Sequence, residues 1–173
     1  MLKFASVLFL LLQPIPPRLF QVPDHGRFRM IIPLEWLVSS KSTASPAAAV
    51  VHIVTSTGDA FDIRLTTLWL DASARNKMTA DSIRSNVKRS ADTLLVQSEN
   101  KSVILEDLQG DQVHGNYFTL ADSHPAPGEY RYVTQGSIVT GELLTAFTIL
   151  HREPNTADLN RALRMLAGAT HVP

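Results

Sequence analysis

The sequence has no cysteine. Disulfides, thiol catalysis, Cys-ligated zinc or iron–sulfur centres and a lipid anchor on an N-terminal cysteine are therefore excluded. It also has no excess of charge, since Lys+Arg 16 and Asp+Glu 16 cancel. A basic field over the whole domain, of the kind nucleic acid or an anionic lipid surface attracts, is absent. There is no P-loop and no G-x-G-x-x-G, so phosphate cradles find no support. There is no G-x-S-x-G elbow; Gly136-Ser137 runs on into Ile138 with no second glycine to match. What is present is a globular balance of 45% hydrophobic and 18% charged residues over 173 positions. That is enough for one domain with a sizeable core, and no cofactor is expected.

One long apolar run occurs, Phe4 to Leu12, preceded by Lys3. It is too short to span a bilayer as a helix, which takes about 20 residues. It fits the apolar segment of a secretory signal, which runs about 7–15 residues. Gln13 to Phe20, QPIPPRLF, carries no small-x-small cleavage pair. The expected organisation is a signal-like segment and Pro-rich spacer over 1–21, then a single domain over 22–173. The expected location is periplasmic or secreted. Cleavage near residue 20 would remove Lys3 and Arg18 and leave a net charge of about −2.

Arg27 to Ile32 alternates and then turns apolar, which predicts a strand ended by Pro33. Ser39 to Ala49 has small residues without a period and predicts a loop. Val50–Thr55 and Phe61–Leu70 flank Thr57-Gly58-Asp59 and predict a hairpin. From Thr79 to Gln97 the period changes. Ile83, Val87, Ala91 and Leu94 recur at helical spacing behind the N-cap Thr79. Strands follow over Ser102–Leu108, Gln112–Leu120 and Glu129–Thr134, with Gln135-Gly136 as a turn or bulge. A last strand, Glu142–His151, precedes a helix capped by Thr156, with Leu159, Leu163 and Leu166 facing inward. Short connections mean antiparallel pairing. The sequence therefore predicts an α+β fold, with one antiparallel β-sheet covered by amphipathic helices in an α/β/α sandwich.

Phe28-Arg-Met-Ile-Ile-Pro-Leu-Glu-Trp36, Gly115-Asn-Tyr-Phe-Thr-Leu and Gly141-Glu-Leu-Leu-Thr-Ala-Phe-Thr-Ile-Leu150 together resemble PsbP-like domains. That group includes the extrinsic photosystem II subunit, bacterial envelope DcrB-like proteins and a Ran-binding nuclear import factor. The resemblance covers nearly all of residues 27–169 and rests on packing motifs. Glu35 stands where the family usually has a glycine before the tryptophan, and no lipobox cysteine is present. The resemblance implies the same sandwich and an interaction role more often than catalysis. Function argued from fold alone is analogy.

Site candidates are few. Asp122 and His124 place a carboxylate and an imidazole on the loop DSHPAPG, a minimal metal pair where zinc takes three or four ligands. Arg84, Lys88 and Arg89 form a basic cluster on the first helix, suited to an acidic partner. Trp36 is an interface residue if exposed and a core anchor if not. Glu106 and Asp107 are adjacent on a strand, so they point to opposite faces. Tyr117, Tyr130 and Tyr132 are candidates to line one sheet face. No catalytic residues are assigned. The expected function is that of a non-enzymatic exported domain that binds a protein partner, in assembly or protection of an envelope complex. No nucleic acid and no stable lipid anchor are expected, and the oligomeric state is left open. The alternative is a small-ligand or metal-binding module using a sheet–helix cleft or the Asp122/His124 loop. A hydrolase comes third and needs the histidines to converge on a nucleophile.

Overall fold

The structure, a computed structural model, describes residues 15–42, 48–56, 61–154 and 156–173. The apolar run Phe4–Leu12, the turn Thr57-Gly58-Asp59 and Asn155 lie outside these residues.

Ten strands and three helices occur among the described residues. In chain order these are β1 (Arg18–Gln21), β2 (Arg27–Met30), β3 (Trp36–Ser42), β4 (Ala48–Thr55) and β5 (Phe61–Trp69). Then come α1 (Ala72–Lys77), α2 (Ala80–Leu95), β6 (Glu106–Gln109), β7 (Val113–Ala121) and β8 (Tyr132–Thr140). The chain closes with β9 (Leu143–His151), α3 (Ala157–Ala167) and β10 (Thr170–Val172). Seven strands form one antiparallel sheet in the order β3-β4-β5-β9-β8-β7-β6, and β1-β2-β10 form a second, smaller one. The expected α+β class and antiparallel pairing are observed, with helices on both sides of the large sheet. The single sheet that was expected is corrected to two.

Residues that alternate along the large sheet serve two different cores. One face contributes Val51, Ile63, Leu65, Ile138, Phe147 and Ile149. It is covered by Leu159, Ala162, Met165 and Leu166 of α3 and by Phe20, Phe28 and Met30 of the small sheet. The other face offers Phe118, Leu120 and Val139 to Ile83, Val87 and Ala91 of α2. Both long helices start where their sequences say. Thr79 Oγ1 accepts from the Ser82 amide at 3.2 Å, and Thr156 Oγ1 from the Leu159 amide at 3.0 Å. Asp81 and Asp158 sit in the two first turns, where the helix dipole favours a negative charge.

Several boundaries differ from the expectation for physical reasons. β8 runs straight through Gln135-Gly136, which neither turns nor bulges. A Cβ on Gly136 would lie 2.7 Å from the Phe147 ring, so the glycine makes room for that ring on the neighbouring strand. The turn lies further on, at Gly141-Glu142, where Gly141 takes φ +57° in a two-residue hairpin. Ser39–Ser42 is strand β3 and not loop, because β4 supplies its ladder partners. β6 begins at Glu106, later than expected.

Leu166 is fully buried between α3 and the sheet. Leu166→Ala should lower stability by about 2–5 kcal/mol in urea unfolding, with m unchanged. A loss under about 1 kcal/mol would mean α3 does not seal the core as described.

Candidate functional site

α2 covers β7 and β8 but stops short of the other half of that sheet face. Over β3, β4 and β5 the alternate residues on this side are mostly exposed or half-buried, with Ala48 buried, while on β9 Leu144 packs against the α2 cluster and Ala146 shares a cleft with α2. Leu37 and Leu68 are 56% and 40% exposed, and Val50, Val54 and Leu150 lie between them half-buried. The open part of the face is thus apolar at its margins and spans β3, β4 and β5.

A polar chain crosses its centre. The antiparallel register sets Ser39 opposite His52 and His52 opposite Arg64, with Asp62 one alternate position along. His52 Nε2 lies 3.0 Å from Asp62 Oδ1. Arg64 grips the same carboxylate with both nitrogens, Nε to Oδ1 at 3.1 Å and Nη2 to Oδ2 at 3.2 Å. Burial by itself would raise the Asp62 carboxyl; the hydrogen bonds from Arg64 and the His52 ring alongside outweigh it and hold the group below the ordinary carboxylate range. The Asp62 side chain is 13% exposed, while those of Arg64 and His52 are 65% and 43% exposed. The carboxylate works as a fixed post that orients the Arg64 guanidinium on the surface, while His52 Nε2 lies buried beside it, out of hydrogen-bond alignment. No hydrogen bond joins Ser39 to His52 among the described residues, so no nucleophile is paired with this imidazole.

The residues singled out from the sequence stand elsewhere. Trp36 is buried, edge-on to Phe61 with ring centroids 4.7 Å apart, and the Arg161 guanidinium lies over its ring. It is a core anchor, which corrects the partner-binding expectation for this residue. Arg84 is held by Asp107 at 3.1 Å, Lys88 by Asp92 at 2.8 Å and Arg89 by Asn86 at 3.2 Å. The cluster sits on the exposed side of α2, already partnered. Asp122 Oδ1 accepts from the His124 amide at 2.9 Å, and His124 Nδ1 meets Ser123 Oγ at 2.9 Å. Both side chains brace their own loop, and no group of three metal-ligand side chains occurs among the described residues. The clefts between α2 and the sheet hold about 150 Å³ and about 110 Å³. A small-molecule pocket usually exceeds about 300 Å³. Glu106 and Asp107 do diverge, to the Tyr117 hydroxyl and to Arg84 with Asn116.

The histidines scatter. His25 stacks on Trp69 at 3.8 Å, and His171 Nε2 reaches the His25 carbonyl at 2.9 Å. His151 is buried on the other sheet face. Its Nδ1 donates to the Glu153 carbonyl at 2.8 Å, which leaves Nε2 to accept from Thr134 Oγ1 at 3.0 Å. Thr119 completes this chain at 2.7 Å from Thr134. Burial pushes the His151 imidazole below its usual value. Sequence reading missed the His52–Asp62–Arg64 chain because its members lie on two strands. The available signal was their shared parity, His52 between Val50 and Val54, and Asp62 and Arg64 off the apolar face of β5.

No family model matches the chain, and no curated protein matches it. Solved structures do. One is a protein of Bacteroides thetaiotaomicron VPI-5482, with TM-score 0.50 and 16% identity over 84% of this chain. The chain spans 45% of that protein's length. Another is the cyanobacterial PsbP (CyanoP) of Synechocystis sp. PCC 6803, with TM-score 0.48 and 12% identity, covering 84% of this chain and 86% of that one. At such identities the likeness is one of fold. No helix among the described residues is long and apolar enough to cross a membrane.

His151 yields a signed pH dependence. Its folded-state value is lowered from 6.5, so the stability held in its neutral hydrogen bonds is complete above that pH and is lost as pH falls. His151→Gln should cost about 1–3 kcal/mol at pH 8. The gap to wild type should narrow as the pH of the unfolding experiment falls from neutral towards 5. A gap that widens on acidification would contradict the assignment.

Proposed function

We propose that the chain is a non-enzymatic exported domain that works by binding a protein partner, in assembly or protection of an envelope complex. The observation that carries this reading is the open half-face of the large sheet. An antiparallel sheet can leave one face to water, but exposed apolar residues on such a face offer an anchor to a partner, and here α2 leaves β3, β4 and β5 largely uncovered among the described residues. Leu37 and Leu68 are the apolar anchors. Arg64, held by Asp62, supplies an oriented donor between them, and Arg is enriched where interface energy concentrates. The resemblance to PsbP-like domains supports an interaction role, and the apolar run Phe4–Leu12 supports export.

Photo-crosslinking residues at positions 37 and 68 should trap one discrete protein in the envelope fraction. The same probe at Val96, 85% exposed on another part of the surface, should not. Leu37→Asp with Leu68→Asp should leave the fold intact and weaken binding to the purified partner at least about tenfold. Equal trapping at all three positions, or none, would overturn the reading. Sequencing the N-terminus of the recovered protein tests export separately.

A further inference from the structure

The small sheet has an outer face of its own. Phe20, Phe28 and Met30 turn inward to the core, so Arg27 and Arg29 turn outward on β2, with Leu19 opposite Arg29 on β1. Ile31 continues the outward parity beyond β2 and lines a cavity of about 360 Å³ shared with Ile15, Pro33 and Arg164 of α3. Two independent features single this region out. Four arginines among the described residues, Arg18, Arg27, Arg29 and Arg164, make no ion pair or side-chain hydrogen bond, and Arg27, Arg29 and Arg164 lie here, while Arg18 stands opposite Met30 at the start of β1. The other described arginines are held, Arg161 by Glu35 and Asp158, for example. Four of the eight exposed large hydrophobic residues among the described residues are here or adjoin it: Ile15, Leu19, Ile31 and Leu34, at 38%, 48%, 50% and 69% exposure.

We propose that this face seats the domain on an anionic membrane surface. Arg27, Arg29 and Arg164 meet lipid phosphates, while Leu19, Ile31 and Leu34 enter the headgroup layer. Charge complementarity sets the sign. The carboxylates nearby are Asp24 in the β1–β2 turn and Glu35 and Asp158, and the last two are spent on Arg161. A chain of zero net charge thereby carries a local cationic patch, effective within the Debye length of about 8 Å at physiological salt. Juxtaposed arginine and exposed leucine or isoleucine suit an interface that is charged at its surface and apolar just beneath. The chain also enters the described structure here: only Gln13 and Pro14 separate the apolar run Phe4–Leu12 from Ile15. Arg27, Arg29, Ile31, Leu34 and Arg164 all follow residue 20, so the face persists whether or not that run is removed. It lies on the opposite side of the molecule from the open half-face, and the two readings stand or fall separately.

The test is co-sedimentation of the full chain with vesicles of phosphatidylcholine alone and of phosphatidylcholine mixed with phosphatidylglycerol. The run Phe4–Leu12 is present in every sample and raises both alike. Binding should be tighter to the mixed vesicles, with the preference shrinking as salt rises. Arg27→Glu with Arg29→Glu should lower binding to mixed vesicles at least about tenfold and abolish the preference. Leu19→Ser with Ile31→Ser should weaken binding while keeping the preference. All four positions are exposed, so circular dichroism should confirm unchanged folding. Equal binding to both vesicles, or a preference that survives the charge reversal, would overturn the proposal. So would loss of an acidic protein partner in the arginine variant without any lipid preference in wild type.

Discussion

Closure of one face of the seven-stranded sheet is the constraint on which the rest of the molecule depends. α3 alone is too narrow to cover seven strands. The remaining area is sealed by the small sheet, through Phe20, Phe28 and Met30. That sheet borrows β1 and β2 from the beginning of the described chain and β10 from after α3. Because three thin strands do the covering, they carry a solvent side, and that side presents the unpaired Arg27 and Arg29 beside Arg164 of α3. On the opposite face of the large sheet the same arithmetic gives a different result. One helix, α2, covers β7 and β8, and the strands beyond it stay open.

Much of this was legible in the sequence, and the parts that were not share a cause. α2 and α3 announce themselves through Thr79 and Thr156 and their apolar stripes, since helix period and caps are local signals. β5, β7 and β9 alternate over nine residues each and were read almost to their ends. β1 and β10 have four and three residues, too few to show a period. β3 continues as Ser-Ser-Lys-Ser, which has little strand propensity of its own; an edge strand with one side in water is held by its neighbour's ladder and not by its composition. Gly136 reads as a turn in isolation, yet its meaning comes from Phe147 on another strand.

The candidate sites follow the same division. Asp122 with His124 and Lys88 with Asp92 are close in sequence and are partners within their own loop or helix, while Arg84 is already taken by Asp107 of β6. The features that face outward with something left to offer, His52–Asp62–Arg64 and the Arg27–Arg29 patch with Arg164, join residues from different strands and from α3. Net charge conceals the second of these. A balance of zero describes the sum over the chain and says nothing of one sheet face.

The pairing of β10 with β2 has a kinetic meaning. Thr170 sits opposite Arg29, so this ladder joins segments far apart in sequence. The cover over the core cannot close until the residues after α3 have been made, however early the hairpins of the large sheet form. Contacts so remote in sequence are slow to establish, because the loop they close must be ordered first. Until those residues are made, the principal core of a nascent chain stays unsealed. Unfolded-chain handling therefore has a window that lasts until β10 pairs with β2.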